Sequence, residues 1–432
     1  MTKRKYLGEE ADQTRLPLAY LVGVQSQGMS ADEAKDLLAE LAELTDTLGL
    51  PQAGSCLARL REPNPALLLG SGKAKEIIEE AKNAGADLII IDEMLSPVQQ
   101  RNWEELSELA VIDRQEVILD IFAARAQTNE ARLQVALAKA NYDLPRLTRK
   151  WTHLHRQRGM SGGLGGRAEG EQQLELDQRQ VRDRIAKLGK QLDEVRKQRQ
   201  VQRSKRLRKP LPVAAIVGYT NAGKSSLLNQ LTAAQLLVEN KLFATLDPTL
   251  RRLQLPGGLE LLLGDTVGFI RKLPHLLVEA FKSTLEETRL ADYIIEVLDA
   301  SSGDNLLEFH QTTQNVLEEI GAGLKPGIIV LNKIDLVPDK LSRQRLLRKF
   351  PDAILVSAKT GEGLPQLLES LVQQSSALMR EMRLLVPHER YDIMKTIRSQ
   401  CSINQEKYNE QGVELSLRAP KSCQAILEEF AL

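Results

Sequence analysis

The chain has 432 residues, 42% of them hydrophobic, enough for two or three domains with sizeable cores. Its 58 Lys and Arg balance 58 Asp and Glu, so net charge excludes neither a polyanionic nor a neutral partner, and only local clustering can decide. No apolar stretch is long enough for a membrane helix or a signal h-region, and Cys56, Cys401 and Cys423 have neither metal-ligand spacing nor a disulfide framework, so a soluble cytoplasmic protein is expected.

Residues 1–16 are polar and expected to be flexible. Leu18 to Val24 reads as a strand, and Ser30-Ala-Asp-Glu33 is a capping box opening a helix whose leucines run to Leu48. Ala66 to Gly70 reads as a strand, Lys73 to Ala84 as a helix, and Asp87 to Asp92 as a buried strand. Ser96 caps a further helix with Pro97 at its first position, and a short strand begins at Val111. This alternation predicts a small α/β domain with a parallel sheet over residues 17–115. Gly70-Ser-Gly-Lys73 resembles a phosphate loop, but Leu67 stands where the first glycine belongs; a turn gripping a helix start is the better reading.

Residues 116–210 turn helical. Leu133, Leu137, Ala140, Leu144 and Leu147 form an apolar stripe that Pro145 must kink or end. A second stripe, Val181, Ile185, Leu188, Leu192 and Val195, follows a Gly-rich basic loop at 156–170 that carries Arg156, Arg158 and Arg167. Two striped segments around a loop predict an antiparallel helical hairpin. From Arg179 to Lys209 there are thirteen Lys and Arg against three Asp and Glu. A solvated face normally mixes its charges, so a one-signed excess favours contact with nucleic acid, structured RNA first. His153 and His155 lack partners at ligand spacing, and no metal is assigned to them.

At Val213 to Val217 an apolar run suits a buried strand, and a helical pattern starts after Ser225. Between them Gly218-Tyr219-Thr220-Asn221-Ala222-Gly223-Lys224-Ser225 fits the phosphate-binding loop, whose glycines let backbone N–H groups wrap a phosphate at a helix N-terminus. Lys224 is expected to reach the β- and γ-phosphates, and the Ser225 hydroxyl to ligate Mg2+. Phe243-Ala244-Thr245-Leu246-Asp247-Pro248-Thr249 falls where a mobile switch loop belongs, and either threonine has the hydroxyl to reach that ion. Asp265-Thr266-Val267-Gly268 ends an apolar strand, its Asp acting on Mg2+ and its Gly backbone meeting the γ-phosphate. Another strand runs into Asn332-Lys333-Ile334-Asp335, where a carboxylate can accept from both N1–H and the exocyclic amine of guanine. Adenine lacks that donor pair and would leave buried polar groups unpaired. Ser357-Ala358-Lys359 supplies the loop on the base side. The order and spacing predict a P-loop domain over residues 211–379 that converts GTP to GDP and phosphate. Residues 380–432 alternate again and read as a small appended α/β domain.

Beyond these motifs the chain resembles the HflX family of translational GTPases over nearly its whole length. The resemblance rests on the phosphate loop, on Phe243 to Arg252 and Asp265 to Arg271, and upstream on Val111-Ile-Asp-Arg114, Ile118-Leu-Asp-Ile-Phe122, Trp151-Thr-His-Leu154 and Gly170-Glu-Gln-Gln-Leu-Glu175. It implies binding to the 50S ribosomal subunit and its RNA through the N-terminal domain and hairpin, and separation of stalled or idle 70S ribosomes. It also implies that Ser225 and Thr245 are the Mg2+ ligands, with Thr249 a structural part of the switch loop. The chain departs from the family's Arg-Gly-Pro-Gly-Glu-Thr-Gln-Leu-Glu at Arg167-Ala-Glu-Gly-Glu-Gln-Gln-Leu-Glu175, which loosens the turn and adds the charge of Glu169.

Lys224, Thr245 and Gly268 are the expected catalytic positions. Phe269 stands where Ras-like enzymes place a water-orienting glutamine, so intrinsic turnover is expected to be slow. Asn221 admits two readings, a K+ ligand or a loop-stabilising side chain. An assembly GTPase on immature large subunits, and an RNA-remodelling protein with GTPase-timed release, are the alternative functions. A monomer is the default.

Overall fold

A computed structural model describes residues 15–147, 165–206, 211–232, 242–243, 249–256, 259–272 and 287–432. The N-terminal segment to residue 14, most of the basic hairpin loop, and Ala244 to Asp247 with Thr245 lie outside the described residues. The chain divides into two compact units, residues 1–193 with 273–280, and 194–272 with 281–432.

In the first unit a four-stranded parallel sheet has the order β2-β1-β3-β4, with β1 Ala19–Gln25, β2 Gln52–Arg59, β3 Leu88–Ile91 and β4 Ala110–Asp113. All four side chains of β3 are fully buried, as an apolar run covered on both faces must be. The first helix, α1 (Ala31–Leu48), starts at the expected capping box of Ser30 and Glu33 and ends on the left-handed Gly49. Helix α2 is Ser71–Asn83, and α3 (Pro97–Ser107) has a second capping box from Ser96 and Gln99.

One strand expectation fails. Ala66 to Gly70 is not a strand: Asn64 Oδ1 accepts from the backbone N–H of Ala66 and Leu67 at 2.8 and 3.2 Å, and Leu68 turns left-handed at φ 65°. Side chains of α3 satisfy its carbonyls instead, Asn102 on Ala66 at 2.9 Å and Trp103 Nε1 on Leu67 at 2.7 Å. The edge position belongs to β2, whose Ala-Gly-Ser-Cys core carries no bulky alternation to reveal it.

Helix α4 (Arg114–Arg125) is capped by Asp113 and is buried continuously from Arg114 to Phe122. The α5 helix (Asn129–Asp143), capped by Thr128, stops where Pro145 enters a single 3-10 turn, Leu144–Arg146. The long helix α6 runs Gly165–Arg206, so it begins inside the segment expected as a loop at 156–170. Its Val181, Ile185, Leu188, Leu192 and Val195 stripe is the shielded side, with Leu192 buried.

The second unit holds a six-stranded sheet of order β10-β9-β8-β5-β7-β6. Its strands are β5 Val213–Val217, β6 Thr249–Gln254, β7 Glu260–Asp265, β8 Tyr293–Asp299, β9 Gly327–Asn332 and β10 Ile354–Leu355. Only the β6–β7 pair is antiparallel, and Ala214, Ile216, Leu261, Leu263, Ile295, Val297 and Val330 form the centre of its core. Parallel strands point their carboxyl ends one way, and in open α/β sheets ligands bind outside those ends. Residues 379–420 add a three-stranded antiparallel sheet, β11 Met379–Val386, β12 Ser402–Asn409 and β13 Gly412–Pro420, in the order β11-β13-β12. No described helix is long and apolar enough to cross a membrane.

Candidate nucleotide site

The predicted motifs converge at the carboxyl ends of β5, β7 and β9, followed by the loop after β10. Gly218 leaves β5 at φ 141°, and a Cβ there would meet the Val297 carbonyl oxygen at 2.1 Å, so no other residue fits. The loop then turns on Asn221 (φ 60°, exposed) and Gly223 (φ 87°) before helix α7 (Lys224–Thr232) begins. A Cβ on Gly223 would lie 2.3 Å from Asn332 Nδ2, which shows how tightly the first and third motifs are joined.

Lys224 is 7% exposed and folds back inside the loop, its Nζ donating to the carbonyls of Gly218 at 3.1 Å and Tyr219 at 2.8 Å. Burial lowers its pKa to about 8, against the opposing pull of the Asp265 carboxylate. Ser225 Oγ donates to Asp265 Oδ2 at 2.7 Å, which sets a hydroxyl and a fully buried carboxylate oxygen side by side. Hard oxygen donors paired in this way suit Mg2+, so these residues fit the ion that the fold implies. Thr266 Oγ1 is engaged on the Ile216 carbonyl at 2.7 Å, and Val267 is buried. Gly268 passes so close that a Cβ would stand 2.8 Å from Thr220 Cγ2 and 3.0 Å from Lys224 Nζ.

The phosphate loop and the segment after β7 are stitched by backbone. Phe269 N–H donates to the Gly218 carbonyl at 3.1 Å, and Thr220 N–H donates to the Phe269 carbonyl at 2.7 Å. The Phe269 side chain is 1% exposed and packs inward. Phe243 is also buried and left-handed, at φ 55°.

On the base side, Asn332 Nδ2 donates to the Ala222 carbonyl at 2.8 Å while its Oδ1 accepts from Ala358 N–H at 3.0 Å. One amide therefore ties the phosphate loop to the loop after β10. Lys333 adopts φ 61° and pairs with Asp299 at 2.8 Å, Ile334 is buried, and Ser357 Oγ donates to Asp335 Oδ1 at 2.6 Å. Lys359 is exposed beside them.

Sequence reasoning missed the outer supports. Tyr219 stacks on Phe309 with centroids 4.1 Å apart, and its hydroxyl accepts from Arg271 N–H at 2.8 Å. The Arg271 guanidinium lies over Phe309 and reaches Glu308 at 3.3 Å. The aromatic at 219 stood inside a recognised motif, but nothing local named Phe309 as its partner.

A phosphate loop at a helix N-terminus, an Asp-x-x-Gly strand end and an Asn-Lys-x-Asp turn on one parallel sheet define a P-loop GTPase. Family models agree: residues 213–333 match "50S ribosome-binding GTPase", 35–123 match "GTP-binding GTPase N-terminal" and 125–206 match "GTP-binding GTPase Middle Region". The chain is 46% identical over 421 residues to GTPase HflX of Akkermansia muciniphila, covering 95% of this chain and 96% of the relative. It is 42% identical over 391 residues to GTPase HflX of Escherichia coli, covering 90% and 91%. A GTP-binding protein from Sulfolobus solfataricus, solved in complex with GDP, is 26% identical, with 84% of this chain and 100% of that one covered and a TM-score of 0.44. The chain belongs to the GTPase HflX family. It binds guanine nucleotide and hydrolyses GTP.

Proposed function

We propose that this GTPase is a Mg2+-dependent switch that docks on the large ribosomal subunit through its N-terminal domain and hairpin and separates stalled or idle 70S ribosomes in the cytoplasm, as a monomer. The observation that carries the docking reading is the charge of α6. From Arg179 to Lys197 it exposes Arg179, Arg182, Arg184, Lys187, Lys190, Arg196 and Lys197 against three acids, Asp183, Asp193 and Glu194. Such an excess suits several phosphate contacts on RNA. The family matched at residues 213–333, the 50S ribosome-binding GTPases, supports the same partner.

In this reading the backbone of Gly218 to Ser225 holds the phosphates, and Lys224 Nζ leaves its two carbonyls for the β- and γ-phosphate oxygens. Ser225, with Thr245 from the switch loop, would hold Mg2+, which when bound neutralises charge on those oxygens. Gly268 offers its N–H to the γ-phosphate, and Asp335 reads N1–H and the 2-amine of guanine. Phenylalanine has no group to orient a water, and Phe269 is buried besides, so turnover waits on a partner that orders the switch loop. Differential affinity for the separated subunit over the 70S particle drives splitting, and hydrolysis lets the factor leave. Asn221 puts a neutral oxygen donor at the exposed lip of the loop, which suits K+ as a source of positive charge.

The test is GTP turnover with nothing added, with 50S and with 70S, in K+ and in Na+, with light scattering on the 70S sample. Stimulation by 50S with falling scattering is expected. No stimulation and steady scattering would remove the ribosome from the function, and equal turnover in both salts would remove K+.

A further inference from the structure

Asp335 lies in a single 3-10 turn, Ile334–Leu336, which follows the left-handed Lys333 and is too short to hold its own orientation. Its support comes from Arg343 on the helix Lys340–Lys349, which is started by the Asp339 cap. One guanidinium bonds in three directions: Nη2 to the Ile334 carbonyl at 3.0 Å, Nε to the Val337 carbonyl at 2.8 Å, and Nη1 to Glu362 Oε1 at 2.6 Å. The first two bonds bracket Asp335 in the chain. The third passes to the loop after β10, where the Glu362 carbonyl accepts from Ser357 N–H at 2.9 Å and the Ser357 hydroxyl returns to Asp335 at 2.6 Å. The bonds close a ring: Arg343, the 334–337 turn, Asp335, Ser357, Glu362 and back to Arg343.

We propose that Arg343 is a positioning residue that sets the specificity for guanine, by locking the turn of Asp335 and the loop of Ser357 into one rigid unit. The proposal rests on the reading that Asp335 takes the N1–H and 2-amine of the base. The chemistry requires arginine. A planar fork can serve two carbonyls and a carboxylate at once, whereas an ammonium on a flexible stem is a point charge with no fixed donor directions. Two hydrogen bonds to one base edge discriminate only if the carboxylate is held in plane with that edge, because a loose acceptor loses the second bond first.

The experiment measures competition binding of GTP, inosine triphosphate (which lacks the 2-amine) and xanthosine triphosphate to the full chain and to Arg343→Lys, Arg343→Met and Asp335→Asn, with steady-state GTP kinetics. Both Arg343 variants are expected to weaken GTP by about tenfold and to shrink the preference for GTP over inosine triphosphate by a similar factor, the size of one good hydrogen bond lost. The loss should fall on KM rather than kcat. Native preference in Arg343→Lys would mean that only charge opposite Glu362 matters, and would overturn the proposal. Equal weakening of GTP and inosine triphosphate in both variants would overturn it too, leaving Arg343 a support for the fold. Asp335→Asn tests the underlying reading separately: it should trade GTP for xanthosine triphosphate, and an unchanged preference there would bring down the base reading and the proposal with it.

Discussion

Lys224 is an ammonium held in a dry loop, with the Asp265 carboxylate as its opposing influence, and its pKa falls to about 8. Triphosphate oxygens beside Nζ favour the charged form and raise that value. Binding therefore takes up a proton once the pH exceeds about 8, and none well below it. Nucleotide affinity is highest below that point and falls as the pH climbs through it. Calorimetric titration in buffers of different ionisation heat, run above and below pH 8, should show buffer-dependent heat only above it; heats that are buffer-independent throughout would refute the assignment. At this scale much of the site was legible in the sequence, because each motif is local and its residues are strung along a few positions. Asn332 and Asp335 sit three apart, and Gly218 and Ser225 seven. What stayed hidden lies between motifs. The ring from Arg343 to Glu362 and the stack of Tyr219 on Phe309 join residues that only the folded sheet brings together.

Elements show the same division. Helices announced by the capping box at Ser30 and by the Ser96 cap before Pro97 start where those signals say. Two of the edge strands were not legible: β2 is built of small residues, and β12 (Ser402–Asn409) is largely polar and exposed, so neither shows the alternation that marks a half-buried strand. The least legible feature is charge inside the first unit. Arg114, 2% exposed at the start of α4, pairs with Asp92 at 2.7 Å and with Glu40 of α1, both of them buried. Asp113 beside it is buried as well; burial pushes its carboxyl up, and it accepts from Tyr142 Oη at 3.0 Å. Such a cluster joins α1, α4 and α5 to the ends of β3 and β4 by directional bonds where apolar packing alone would leave their register free. Removing Arg114 takes one guanidinium away from two buried carboxylates at once. Arg114→Met should lower the stability of this unit by about 3–5 kcal/mol in urea, as expected for a broken buried pair. Tyr142→Phe should cost about 1.5–3 kcal/mol, the size of a single hydrogen bond to a charged group. A loss under about 1 kcal/mol for Arg114→Met would mean that the cluster does not fasten these helices.

On the scale of the whole molecule the charges cancel, 58 against 58, so no long-range field draws this chain to a polyanion. Attraction has to come from a local patch felt within about one Debye length, roughly 8 Å at physiological salt. Helix α6 supplies such a patch, and its periodicity separates the two jobs of its faces. At about 3.6 residues per turn, Arg179, Lys190 and Lys197 fall on the side opposite the Val181–Val195 stripe. All three are exposed, whereas the stripe is shielded. Acids are few here: Asp183, Asp193 and Glu194 stand among seven exposed Lys and Arg between Arg179 and Lys197. If that face meets ribosomal RNA, each lost contact with a phosphate removes one released counterion, and the dependence of log K on log salt flattens by roughly 0.7 to 0.9 per contact. Replacing Arg179, Lys190 and Lys197 together by alanine should therefore reduce the salt slope of binding to isolated large subunits by roughly 2. The same substitutions should weaken binding most at low salt and hardly at all at high salt, because the two curves converge once counterions are no longer gained. An unchanged slope would place the docking surface elsewhere on the chain, whatever the affinity did, since a change in affinity alone could arise from a disturbed helix.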